Sequence, residues 1–199
     1  MLVALTGGLG CGKSAVLKFF HDLGIKTISA DQIVHELLKD EPVKKRLKTM
    51  FGGQIFKKDG EIDRKRLAEI VFSSPDDKRR LEALLHPMVY ERIIKEHEKA
   101  PDDIMVAEIP LLFETKSEKL FDKVITVYTP EEIAAARLKG RGMTIDEIDA
   151  RLKSQLPVKE KVEKADFVID NSGSLEETKE QVRSILESLK RLREPQKDE

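Results

Sequence analysis

One stretch near the amino end constrains this chain more than any other. Leu2-Val3-Ala4-Leu5-Thr6 is a short, mostly apolar run, and Gly7-Gly8-Leu9-Gly10-Cys11-Gly12-Lys13-Ser14 follows it directly. The second segment matches G-x-x-x-x-G-K-[ST], a phosphate-binding loop, whose proper context is a strand before and a helix after. Ala15-Val16-Leu17-Lys18-Phe19-Phe20 supplies the helical side of that context. A loop that wraps phosphate oxygens must turn its backbone N–H groups inward, and glycine tolerates the bend because it has no Cβ. The helix start adds unpaired amides and the positive end of the dipole. Gly8, Gly10, Cys11, Gly12, Lys13, Ser14 and Ala15 are therefore expected to hold a nucleoside triphosphate such as ATP. The Lys13 ammonium would sit on the β- and γ-phosphates and the Ser14 hydroxyl on Mg²⁺.

The rest of the chain alternates strands and helices, which implies a parallel sheet with helices on both faces. Further strands are read at 25–29, 104–109, 123–127 and 166–169. The stretch from Ala30 to Asp103 is far longer than the dozen or so residues a crossover needs. Its apolar spacing is helical, at Leu67, Ile70, Val71 and again at Leu81, Leu84, Leu85, Met88. It is read as a helical insert, residues 31–103, lying over the carboxyl ends of the strands, where ligands bind in open α/β sheets. The nucleotide-binding core is then 1–30, 104–135 and 156–199, with 136–155 as a lid. Helix starts are expected at Thr129-Pro130-Glu131-Glu132, at Thr144 with Glu147 and at Ser174 with Glu177, each a capping-box pattern. The tail from Glu194 is expected to be disordered.

Composition excludes several classes of function. A net charge of −1 points to neither nucleic acid nor an anionic membrane surface. No apolar run approaches the roughly 20 residues of a membrane span. The loop begins at residue 7, which leaves no space for a signal peptide. A single cysteine fits a reducing cytoplasm, and no Cys/His cluster suggests zinc. A monomer or weak homo-oligomer is expected.

Several residues outside the loop are candidates for chemistry. Asp31 follows the second strand, and its carboxylate either accepts the proton of an attacking hydroxyl, reaches Mg²⁺ through water, or caps the helix that starts there. Arg137 and Arg141 are four apart and would share a helix face. With Arg151 beyond a glycine turn, they would form a hinged flap that neutralises charge on a transferring phosphoryl group. His86-Pro87 interrupts an apolar helix pattern and is either a turn residue or part of a substrate site. Glu108 ends the third strand, with a metal or substrate role and a buried capping role both open. Asn171 follows the fifth strand and either reads the nucleotide base or supports the loop.

Taken together, these segments resemble the dephospho-CoA kinase family over nearly the whole chain. The resemblance rests on the phosphate loop from Leu5 to Ser14, on Ala30-Asp31 with Val34-His35-Glu36, and on Leu85-His86-Pro87. It rests further on Pro110-Leu111-Leu112-Phe113-Glu114, on Arg137, Arg141, Arg151 and Gln155, and on Ala165-Asp166-Phe167-Val168-Ile169-Asp170-Asn171. It implies a P-loop NTPase fold of adenylate-kinase type: a five-stranded parallel sheet with helices on both faces, a helical substrate-binding insert and a helical lid. It also implies transfer of the ATP γ-phosphoryl group to the 3′-hydroxyl of dephospho-CoA, the last step of CoA biosynthesis. Asp31 and Lys13 would be catalytic, with Arg137 and Arg141 from the lid. Asp31, His86, Leu111 and Arg141 would meet the acceptor. Two positions depart from the family pattern. Ala15 replaces a common Thr, and Glu108 stands where relatives often carry a shorter acid or an apolar residue.

Overall fold

The computed structural model describes residues 1–193, so the expected disordered tail from Glu194 lies outside the described residues. Five parallel strands form one sheet: β1 (Leu2–Gly7), β2 (Lys26–Ser29), β3 (Met105–Glu108), β4 (Lys123–Tyr128) and β5 (Phe167–Asp170). Their spatial order is β2-β3-β1-β4-β5. β1 is central and every residue of it is buried, which accounts for its nearly unbroken apolar run. Strand ends differ from the sequence reading by at most one residue. Asp166 falls outside β5 because its carboxylate is used on the neighbouring strand, accepting from Val124 N and from Lys123 Nζ, both at 2.8 Å.

The sheet belongs to a compact unit made of Met1–Ser29 and the chain from Lys99 onward. Its core joins Val3 and Leu5 of β1 to Val16 and Phe20 of α1 (Lys13–Asp22), and to Val182, Ile185, Leu186 and Leu189 of α9 (Leu175–Arg193). α8 (Val158–Glu163) packs on β1 and β4. α6 (Glu131–Gly140) and α7 (Ile145–Leu152) pack on each other. The capping boxes read from the sequence form at Thr144 with Glu147 and at Ser174 with Glu177. The one expected at Thr129 does not. Pro130 takes the N-cap position, and the Thr129 hydroxyl is buried and donates elsewhere, to Tyr128 O at 2.8 Å and to Cys11 O at 3.3 Å.

A second unit spans Ala30–Glu98. It comprises α2 (Ala30–Leu37), α3 (Glu41–Phe51), α4 (Arg64–Ser73) and α5 (Pro75–Glu98) around its own core of Val43, Leu47, Phe51, Ile55, Leu67, Val71 and Leu85. The expected break at His86-Pro87 is absent, since α5 runs through Pro87. Proline forfeits one amide donor there, and buried Leu85, Val89 and Ile93 anchor the helix on either side. Among the described residues, no helix is long and apolar enough to cross a membrane.

Candidate active site

The site is built on the peptide geometry of Gly7–Ser14. α1 starts at Lys13 with Gly12 as N-cap at φ 86°, and no acidic side chain lies in its first turn. Nothing on the helix itself therefore competes with an incoming anion for the amides at its start. Gly12 is required twice over: its φ is left-handed, and a Cβ would collide with Asn171 Nδ2. At Gly10, with φ +78°, a Cβ would lie 2.8 Å from Ala134 O. The loop's glycine spacing thus answers to its neighbours as well as to a ligand.

Lys13 curls over the loop. Its side chain is buried, and Nζ donates to Gly8 O at 2.9 Å and Gly7 O at 3.2 Å. Ser14 Oγ donates to Glu108 Oε1 at 3.1 Å. Glu108 pairs in register with Leu5 of β1 and with Ser29 of β2 and is 5% exposed. Glu108 ends β3, and its carboxylate lies on the Ser14 hydroxyl in the first turn of α1. A hydroxyl and a carboxylate side by side form an oxygen-only pair suited to a hard cation.

The loop is braced by a buried polar network. Asn171 Nδ2 donates to Cys11 O at 2.8 Å, and Thr129 Oγ1 donates to the same carbonyl at 3.3 Å. Thr178 Oγ1 donates to Asn171 Oδ1 at 2.9 Å. Of the two readings of Asn171, the geometry uses its amide as loop support. Cys11 contributes its carbonyl, while its thiol is buried and burial raises its pKa against the opposing pull of Lys13.

Arg137 joins this network. Nη2 donates to Asn171 O at 2.8 Å and Nη1 to Thr129 Oγ1 at 3.4 Å. The expectation that Arg137 and Arg141 share one helix face is corrected, since α6 ends at Gly140 and Arg141 is an exposed C-cap. Arg151 is exposed in the last turn of α7, and Gln155 lies beyond that helix. Leu111 is half-buried in the turn after β3, where its carbonyl accepts from Thr115 Oγ1 at 2.8 Å. A cavity of about 210 Å³ is lined by Gly8, Leu9 and Cys11 of the loop, by Leu138 of α6 and by Ile148 and Leu152 of α7.

Sequence reasoning assigned no role to one buried ion pair. Lys161 is fully buried, and its Nζ meets Glu114 Oε1 at 2.8 Å and Pro110 O at 3.0 Å. Glu114 Oε1 also accepts from Leu156 N at 2.8 Å. Lys161 sits in Lys159-Glu160-Lys161-Val162-Glu163, which reads as a solvated helix surface. No local signal separates it from its neighbours.

In the second unit, Asp31 lies within the first turn of α2 and is exposed. The capping alternative is not realised, because α2 begins at Ala30 and the Asp31 carboxylate makes no hydrogen bond or ion pair among the described residues. One turn on, His35 Nε2 lies 2.8 Å from Arg64 Nη1. His86 is half-buried beside Tyr90, with ring centroids 6.5 Å apart. Burial holds its pKa below the ordinary histidine value of 6.5, opposed by the charge of Glu82.

These features agree with comparison to known proteins. The dephospho-CoA kinase family model (CoaE) matches residues 1–177. A dephospho-CoA kinase of Aquifex aeolicus is 41% identical over 191 residues, covering 95% of this chain and 97% of the relative. The crystal structure of TT1252 from Thermus thermophilus superposes with a TM-score of 0.83 at 31% identity, covering 95% of this chain and 97% of that one. A structure of dephospho-CoA kinase from Campylobacter jejuni superposes with a TM-score of 0.71 at 31% identity, covering 97% and 98%. On a family match of that extent, over a sheet that seats a phosphate loop at the end of its central strand, this chain belongs to the dephospho-CoA kinase family.

Proposed function

We propose that this chain moves the γ-phosphoryl group of ATP to the ribose 3′-hydroxyl of dephospho-CoA, forming CoA and ADP. The single observation that carries the reading is the loop itself: a glycine-rich turn, buried Lys13 and an acid-free helix start, in a chain of this family. In the transfer, a bond forms between the acceptor oxygen and the γ-phosphorus as the bond from that phosphorus to the β–γ bridging oxygen breaks. The acceptor hydroxyl loses its proton to Asp31, a carboxylate with no competing partner among the described residues. Lys13 and the loop amides hold the phosphates, and Asn171 and Thr129 hold the loop.

Ser14 and Glu108 are the residues that fit Mg²⁺, a cation that takes one or two protein carboxylates and keeps several waters. When bound, Mg²⁺ would neutralise charge on the β- and γ-phosphate oxygens. Asp31 would reach such an ion only through water. Segment 136–155 acts as the lid, bringing Arg141 to the transferring group and keeping water from serving as acceptor. Arg137 works at the base of that lid. His86 and Leu111 shape the acceptor's surroundings. The enzyme works in the cytoplasm as a monomer or weak homo-oligomer, without nucleic acid or membrane.

A substrate panel with Mg²⁺ and ATP tests the reading, using ADP release and product mass as readouts. Dephospho-CoA should gain one phosphoryl group, while AMP and CMP should be poor acceptors. Phosphorylation of AMP or CMP with dephospho-CoA untouched would overturn it.

A further inference from the structure

Asp31 and His35 are four residues apart on α2, so they lie on one face of that helix, about 6 Å apart along its axis. Arg64 opens α4 and brings Nη1 to 2.8 Å from His35 Nε2. An arginine only donates. The His35 nitrogen therefore accepts with its lone pair, and the ring proton resides on Nδ1. Arg66, Arg79, Arg80 and Arg92 of the same unit each meet a carboxylate, on Glu69, Asp76, Asp77 and Glu36 respectively. Arg64 does not, because among the described residues its guanidinium bonds only the neutral imidazole. Its charge is uncompensated, one edge of its fork is fixed, and its other N–H groups remain for an anion. A guanidinium held in this way suits bidentate recognition of phosphate oxygens.

We propose that Arg64, aimed by His35, binds the diphosphate of the acceptor and so selects dephospho-CoA over acceptors without that group. The inference rests on the functional reading above, in which Asp31 receives the proton of the 3′-hydroxyl. In dephospho-CoA the same ribose carries the reacting 3′-hydroxyl and, through its 5′-carbon, the diphosphate. The two groups are separated by the width of one sugar, which is comparable to one helical turn. With Asp31 on the hydroxyl, a group one turn along α2 falls at the diphosphate. Arg64 is then a binding residue and His35 a positioning residue.

Steady-state kinetics of the full-length enzyme test this, with dephospho-CoA and ATP varied separately. Arg64→Ala should raise KM for dephospho-CoA about 10- to 100-fold, the scale of a lost charge-assisted hydrogen-bonding pair, and should raise KM for ATP far less. Arg64→Lys should recover part of that loss. His35→Ala should raise the same KM several-fold, and His35→Gln, which keeps an acceptor, should recover much of it. Arg66→Ala, exposed on the same helix and paired to Glu69, is the control and should change neither constant. An unchanged KM for dephospho-CoA in Arg64→Ala would overturn the inference. So would an equal rise in both KM values, which would place the anion on the nucleotide or indicate a general structural defect. If the wild-type enzyme leaves dephospho-CoA unphosphorylated, the functional reading fails and this inference fails with it. Wild-type turnover with an Arg64-independent KM sinks this inference alone.

Discussion

The Cys11 carbonyl accepts from two side chains, Asn171 and Thr129. In a trans peptide the carbonyl and the following N–H point in opposite directions. Drawing Cys11 O toward Asn171 therefore turns the Gly12 N–H the other way, into the loop. Asn171→Ala should raise KM for ATP about tenfold and remove two buried hydrogen bonds, to Cys11 O and from Thr178 Oγ1, which keeps the Ser174 carbonyl at 3.1 Å, with a stability loss of about 1–3 kcal/mol. Kinetics and urea titration check both, and an unchanged KM for ATP would show that the loop holds its shape without this brace. Asp31→Ala should lower kcat by about a hundredfold to ten-thousandfold while calorimetry finds ATP affinity nearly unchanged. A wild-type rate would remove Asp31 from the chemistry. His86 gives a pH signature. Its folded pKa lies below the ordinary value of 6.5 through burial, so the unfolded chain takes up a proton first on acidification. Stability should therefore fall as pH drops through 6.5 toward the folded value, and be fully present above it. His86→Gln should flatten that part of the curve, and an identical slope in the variant would contradict the assignment.

At the scale of elements, local rules succeeded where partners are close in sequence. Thr144 with Glu147 and Ser174 with Glu177 form their boxes because donor and acceptor lie within one turn. Thr129 fits the same pattern, yet its hydroxyl bonds the adjacent Tyr128 carbonyl at 2.8 Å and also reaches Cys11 O at 3.3 Å, a partner 118 residues away that only the fold supplies. The bonds of Arg137, Asn171 and Lys161 escape a local reading for the same reason. Their partners arrive through sheet order, which residue spacing does not encode. The Glu114–Lys161 pair shows what such contacts contribute, linking the turn after β3 to α8 and to Leu156. Glu114→Ala leaves a fully buried ammonium facing the Pro110 carbonyl alone, and should cost about 3–5 kcal/mol in urea unfolding. Glu114→Leu with Lys161→Met should recover most of it. A loss well under 1 kcal/mol in the single variant would mean that water reaches the pair.

For the whole molecule, the five-stranded parallel sheet was legible because β1 is nearly all apolar and the later strands alternate with helical patterns. The phosphate loop was legible because its chemistry is contiguous in sequence. The contact between His35 and Arg64 was not, since it joins residues 29 apart on α2 and α4, two helices that each pack on α5. The account depends most on the loop as the seat of the triphosphate. Lys13 Nζ now rests on the Gly7 and Gly8 carbonyls, and phosphate oxygens are the stronger acceptors. A crystal structure with Mg²⁺ and a non-hydrolysable ATP analogue tests this most directly. It should find the β- and γ-phosphates inside Gly8–Ser14, with Lys13 Nζ about 2.8 Å from their oxygens. Phosphates bound elsewhere, with Lys13 still on the two carbonyls, would contradict it.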